Sequence, residues 1–347
     1  MAKLRVGIIG AGGMGKVHAA SYRKAPDVEI AGVAEIDRAR GEAFAAEFGT
    51  QHVTDYQELL DRVDAVSVCL PHTLHRAACE AAARAGKHIL CEKPLATTLA
   101  DCTAIVDAAR AAGVLLMTGQ THRFMQENMQ VKALLDGDAI GDLVMAQDTI
   151  LATAPTAGLG WRGTLALAGG GVFLDNGVHA VDRLRWWLGA EVAWVAARVT
   201  NRLHVSEGED TGQALLTYTN GAQATITQSR AIARPASTSV TDIIGTRGVI
   251  RVHSWGDVQI ARADATAWEE VPVARTRSGH EGEIAEFVAA IREARPPAVT
   301  GEDGAIAVET VLAIYQASAS GAVVSLPLPP SLDMVQSHFT MWRLSNA

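Results

Sequence analysis

From Leu4 to about Phe124, short apolar runs alternate with alanine-rich segments. LRVGIIG, EIAGVAE, DAVSVCLP, HILCEKP and VLLMTGQ are continuously apolar, as strands are when helices cover both of their faces. MGKVHAASYRKA, RARGEAFAAEFG, HRAACEAAARAG and LADCTAIVDAARAAG lie between them and predict helices, three of them stopped by glycine. This alternation predicts an α/β domain over residues 1–124, a doubly wound parallel sheet.

After Phe124 the rhythm changes. NMQVKALLDG predicts a helix, LVMAQDTILAT a strand, and VFLDNGVHAVDRLRWWLG a further helix behind a glycine-rich stretch. From Glu191 to Val273 alternating runs follow one another with TNG and GTRG as turns, so residues 125–330 predict an α+β domain with a large, open, mostly antiparallel sheet. Its last helices are EGEIAEFVAAIREA and DGAIAVETVLAIYQASASG. Residues 331–347 form a tail whose Met334, Phe339, Met341 and Trp342 call for a packing surface.

Length and composition agree with two well-filled domains: 347 residues, 48% apolar and 20% charged. The net charge of −8, without a run of Lys or Arg, argues against nucleic acid and for a small-molecule partner. Neither a leader peptide nor a membrane span is apparent, so a cytoplasmic location is expected. Four cysteines (69, 79, 91 and 102) show no CxxC spacing and read as small buried residues.

Chemistry enters with GAGGMG, where a strand ends and a helix begins. Gly10 allows the tight turn, Gly12 a close approach of pyrophosphate, and Gly15 the packing of helix on strand, with Gly13 and Met14 alongside. Glu35 follows Gly15 by twenty residues, at the end of the second strand, where a carboxylate accepts hydrogen bonds from the adenosine ribose. That favours NAD; Ile36 flanks it, and Arg38 keeps NADP as the less favoured cofactor. In a doubly wound sheet the nicotinamide end extends toward the ends of the fourth and fifth strands. Lys93 ends the fifth, in CEKPLA, so an ammonium is delivered there, with Glu92 before it and Pro94 fixing the turn. A second set lies in FLDNGVHAVDRLRWW. Asp175 and His179 are four apart on one helical face, and the glycines at 169–171 let another group approach; Asp182 reads as a structural partner. Oxidising a secondary alcohol requires a group to take the hydroxyl proton, which suits His179, and a cation to polarise the oxygen, which suits Lys93.

Together GIIGAGGMG, CEKPLA, GGGVFLDNGVHAVDRLRWWLG and VTGEDGAIAVETVLAIYQASASGAVVSLP resemble the glucose-fructose oxidoreductase, inositol dehydrogenase and rhizopine catabolism (Gfo/Idh/MocA) family, from Leu4 to about Pro327. The resemblance implies a Rossmann domain, a C-terminal domain with a large open sheet, and NAD(P)-dependent oxidation or reduction of sugars and cyclitols. It further implies that Lys93 touches the reacting hydroxyl beside the nicotinamide, that Asp175 and His179 contact substrate with His179 accepting the proton, and that the Lys93–Pro94 bond is cis. Leu70, Pro71 and His75, in the loop after the fourth strand, become cofactor-side candidates, and THRF brings Arg123 toward the active site. Asn176 stands where many relatives carry an apolar residue and counts as a substrate contact. Trp161 and Arg162, in the segment 155–171, suggest a wall or lid on a sugar pocket, and a packing loop has equal weight. Open alternatives are a glycoside hydrolase using held NAD for transient oxidation, a reductase of a keto-sugar or sugar nucleotide, and a cofactor sensor. Family precedent suggests a homodimer or homotetramer built on the C-terminal sheet.

Overall fold

In this computed structural model, residues 2–153, 158–203, 205–230 and 237–329 are described. The start of the 155–171 segment and the tail at 331–347 lie outside them. The chain divides into two compact units. One comprises residues 1–96, 100–121 and 277–305; the other comprises 97–99, 122–276 and the chain from Ile306.

The first unit begins with β1 (Leu4–Ile9), α1 (Gly13–Tyr22), β2 (Val28–Ala34), α2 (Arg38–Phe48), β3 (His52–Val53) and α3 (Tyr56–Leu60). It continues with β4 (Ala65–Val68), α4 (His75–Arg84), β5 (His88–Glu92), α5 (Leu99–Ala112) and β6 (Leu116–Gly119). All strand pairs are parallel, in the order β3-β2-β1-β4-β5-β6, so the order reverses between β1 and β4. That reversal opens the crevice at the strand ends where ligands of such sheets sit. Central residues Val6, Ile8, Val66, Val68, Ile89 and Leu90 are wholly buried, which is why these strands read as continuous apolar runs. The two-residue β3 is too short to leave a periodic signal, and it completes the count by which HILCE is the fifth strand.

The second unit holds α6 (Gln126–Asp136), β7 (Leu143–Leu151), α7 (Leu165–Ala168), α8 (Val178–Leu188), β8 (Val192–Thr200), β9 (Thr211–Tyr218) and β10 (Gln223–Ser229). After these come β11 (Thr238–Gly245), β12 (Gly248–His253), β13 (Val258–Arg262) and β14 (Glu269–Val271). The chain then forms α9 (Gly279–Glu293), α10 (Gly301–Ser320) and β15 (Val324–Ser325). Nine strands run in the order β14-β13-β12-β11-β7-β10-β9-β8-β15, antiparallel throughout except for the parallel pair β7 and β10. Alternation along β9, with Ala214, Leu216 and Tyr218 buried and Gln213 and Leu215 exposed, gives this sheet one covered face.

One expectation needs correction. A single boundary at Phe124 does not divide the chain, because Arg277–Ala305, including α9, packs into the first unit. Its apolar stripe of Ile284, Phe287 and Val288 is buried, and its start carries a reciprocal Ser278/Glu281 capping box. Among the described residues no helix is long and apolar enough to cross a membrane. Cys79, Cys91 and Cys102 are buried and unpaired, and Cys69 is half-buried.

Candidate active site

The glycine loop has the form its sequence predicts. Gly10 has φ +102°, and a Cβ there would stand 2.5 Å from the Cys69 carbonyl oxygen; at Gly15 it would meet the Gly10 carbonyl at 2.0 Å. Only glycine permits this turn and this closeness of α1 to β1. Among the described residues nothing lies within 4 Å of such an atom at Gly12 and Gly13, and no side chain caps α1. An open cradle before an uncapped helix start fits a pyrophosphate. Glu35 is buried: its Oε2 accepts the Ala11 N–H at 2.9 Å, and its Oε1 accepts the Asp37 N–H at 3.0 Å and Arg40 Nη2 at 2.9 Å. Burial opposes its ionisation, but Arg40 and the two amides outweigh it and hold the carboxyl below its ordinary range. Glu35 therefore braces the glycine loop itself. Ile36 beside it is 85% exposed, and Arg38 points outward, paired to Glu42.

Lys93 follows β5, half-buried, and its bond to Pro94 is cis. Its backbone N–H donates to Glu92 Oε2 at 3.2 Å, while Glu92 Oε1 lies 2.9 Å from His18 Nε2 on α1. His75 is wholly buried, with Nδ1 2.9 Å from the Pro94 carbonyl and Nε2 3.0 Å from that of Leu70, so it ties the β4 loop to the Lys93 turn. Leu70 and Pro71 themselves are half-buried at the strand end.

In the second unit the helix expected from Val172 begins instead with a π-helical turn, Phe173–Gly177, before α8. Such turns add a residue to the helical circuit and recur at functional sites. The glycines before it admit identified neighbours: Thr97 at Gly169, Tyr315 at Gly170, and the Glu209 backbone at Gly171, where a Cβ would come within 1.9 Å of a carbonyl oxygen. Glu209 underpins the turn, accepting the Gly171 and Phe173 N–H groups at 2.9 Å each and the Tyr315 hydroxyl at 2.7 Å. Burial raises its carboxyl to about 7, because these donors are all neutral and offset only part of the desolvation. Asp175 is buried between two guanidinium groups, with Arg162 Nε 3.3 Å from Oδ1 and Arg230 on Oδ2. Asn176 donates to Gln228 at 3.3 Å, and Arg162 lies 4.3 Å over the Trp161 ring, covering the face proposed for sugar. His179 stacks on His122, with centroids 4.1 Å apart and planes 5° from parallel. Arg183 Nη1 stands 2.7 Å from His122 Nδ1; a guanidinium can only donate, so His122 Nδ1 accepts and that ring is neutral.

Residues 4–120 match the model of an oxidoreductase family with an NAD-binding Rossmann fold, and residues 128–251 match the GFO/IDH/MocA C-terminal domain. The chain is 32% identical to 1,5-anhydro-D-fructose reductase of Ensifer adhaerens, covering 93% of this chain and 98% of that protein. It is 30% identical to inositol 2-dehydrogenase of Rhizobium meliloti (strain 1021), covering 93% and 99%. This chain belongs to the Gfo/Idh/MocA family. Among solved structures, levoglucosan dehydrogenase in complex with NADH and levoglucosan superposes with a TM-score of 0.87 at 25% identity, covering 94% of this chain and all of that one.

Within this Gfo/Idh/MocA chain Arg123 is paired to α8. Its buried fork is bidentate to Asp182 at 2.8 and 2.6 Å, so it joins the start of the second unit to α8, and Asp182 is the structural partner expected of it. Sequence reasoning missed His18, His122, Glu209, Arg230 and Glu283. His122 stands next to Arg123 in THRF, and only the fold shows which of the two lies against His179.

Proposed function

We propose that the protein is an NAD-dependent dehydrogenase that transfers a hydride between a secondary hydroxyl of a sugar, glycoside or cyclitol and nicotinamide C4. Bound NAD supplies the hydride acceptor. Lys93 polarises the reacting oxygen, His179 takes its proton, and Asp175 binds a neighbouring hydroxyl. The observation that carries this reading is the neutral His122 beneath His179. A flat imidazole without charge supports protonation of its neighbour, whereas a second cation would oppose it. Asp175 would also tune His179, as its place four residues earlier on the same helical face suggests, and Arg162 and Arg230 hold its carboxylate in position. Gly10, Gly12, Gly13, Met14 and Gly15 would hold the pyrophosphate, and Glu35 and Ile36 the adenosine end. Exposed Leu215, on the open face of the second sheet, supports assembly as a homodimer or homotetramer.

Purified protein incubated with NAD and a panel of inositols, aldoses and glycosides should produce NADH absorbance with at least one. Silence across the panel, or full activity in Lys93→Ala, would end this reading.

A further inference from the structure

Behind Lys93 lies a buried cluster that the proposed reaction leaves unused. His18 comes from α1, Glu92 from the end of β5, and Glu283 from α9, and none is more than 5% exposed. His18 Nε2 stands 2.9 Å from Glu92 Oε1 and 3.7 Å from Glu283 Oε1. The other Glu283 oxygen accepts the Thr121 hydroxyl at 2.8 Å, and Oε1 has no hydrogen-bond partner among the described residues. Glu92 uses its remaining oxygen on the Lys93 amide. Two carboxylates and one imidazole, closed off from water, cannot hold two negative charges against a single positive one without a large cost. One proton on Glu283 and one on His18 leave the group neutral.

We propose that His18 and Glu283 are positioning residues for Lys93: they share protons so that Glu92 stays ionised and oriented, holding the Lys93 amide and with it the turn. This rests on the reading of Lys93 as the polarising group. The electrostatics agree. Burial and the nearby Glu92 push Glu283 up to about 8. Burial works against a charge on His18, but the hydrogen-bonded Glu92 carboxylate helps raise its pKa well above the ordinary histidine value. Burial likewise opposes ionisation of Glu92, but His18 and Lys93 prevail. The titratable groups facing Glu283 are Glu92 from β5, His18 and Tyr22 from α1, and Cys69 after β4; His280, on its own helix, faces His18, Glu92 and Lys93. When Glu283 loses its proton, a second carboxylate competes for His18, and the hold on Glu92 slackens.

The same ligand atoms lie within 4.8 Å of one another, a spacing a divalent cation would also accept. A cation would need both carboxylates ionised, so the two readings give opposite results. The test uses the full-length protein. Infrared difference spectra should show a protonated-carboxyl band that disappears as pH rises through about 8. Acylation of Lys93, followed by peptide mass spectrometry, should change rate over the same interval. Glu283→Gln, which preserves the neutral hydrogen-bonding form, should lose both steps yet match wild type at neutral pH, and Glu283→Ala should not. His18→Gln should lower kcat about 100-fold, the scale of an ångström-sized misplacement, with KM for NAD unchanged. A pH step that survives in Glu283→Gln, a uniform loss at all pH values, or one equivalent of bound divalent metal would each overturn the proposal. If the labelling step appears while no polyol is oxidised, the cluster stands and the substrate reading alone fails.

Discussion

Two turns hold the residues proposed for the chemistry, one after β5 with Lys93 and one before α8 with Asp175, and each rests on a buried glutamate. They are held in opposite ways. Beneath Lys93, Glu92 faces the charged His18 and is kept ionised; beneath Asp175, Glu209 faces two amides and a tyrosine hydroxyl and is pushed toward the neutral form. Comparable burial thus produces opposite shifts, and the deciding factor is whether a partner brings charge or only a dipole. The loads differ as well. Lys93 is held through its own backbone, whereas Asp175 is held through its side chain by arginines, which do not titrate in the accessible range.

The largest effects should come from Lys93 and His179, the two groups proposed to act on the reacting oxygen. With an active substrate in hand, Lys93→Ala and His179→Ala should each lower kcat by roughly 10²–10⁴-fold, the usual span for a positioned acid–base group, while NADH affinity measured by fluorescence titration stays within about twofold. Equal loss of cofactor binding in either variant would break the division of labour between the turns.

Supports come next. Gly171→Ala drives a methyl into the Glu209 carbonyl, and Arg230→Ala leaves Asp175 with one partner fewer. Urea denaturation should show about 3 kcal/mol lost in each, from overpacking in the first and a broken buried ion pair in the second. A loss below about 1 kcal/mol would mean the π-helical turn relaxes easily.

pH then separates the supports by sign. Glu209 has a raised pKa, so its stabilisation is full below the ordinary carboxylate value and is lost as pH rises through about 7. Glu92 has a depressed one, so its stabilisation is present above the ordinary value and is lost as pH falls into the acid range. Melting temperatures of Glu209→Gln and Glu92→Gln across pH should flatten opposite limbs of the wild-type profile; flattening on the same side would refute the contrast.

Smallest of all is Arg38→Ala. This side chain is exposed and paired only to Glu42, so stability should shift by less than about 0.5 kcal/mol. The ratio of kcat/KM for NAD over NADP should stay above unity and change little; a sharp rise would show that Arg38 serves a 2′-phosphate.

The sequence showed the ends of these arrangements better than their middles. Runs such as HILCE and the GAGGMG spacing are local, so the parallel sheet, the glycine turn and the placement of Lys93 were legible. Gly169–Gly171 announced that something came close, but that it was Thr97, Tyr315 and Glu209 depends on partners far along the chain. The hydrogen bonds of Arg123 and His75 were not legible, because a motif gives position along the backbone and not the direction of a side chain. Glu283 left a helix-face pattern like any other, and nothing in α9 announces that this helix rejoins the first unit.

That return has a consequence for synthesis. A ribosome releases α1 and β5 early, yet the helix bearing Glu283 appears only after residues 122–276 have been made. Throughout that interval His18 and Glu92 are folded without their third partner or remain exposed to solvent. The nascent chain thus has a long window in which chaperone capture and aggregation compete with completion of its first unit, and ribosome-stalled chains should resist protease over residues 1–121 only once Ala305 has emerged.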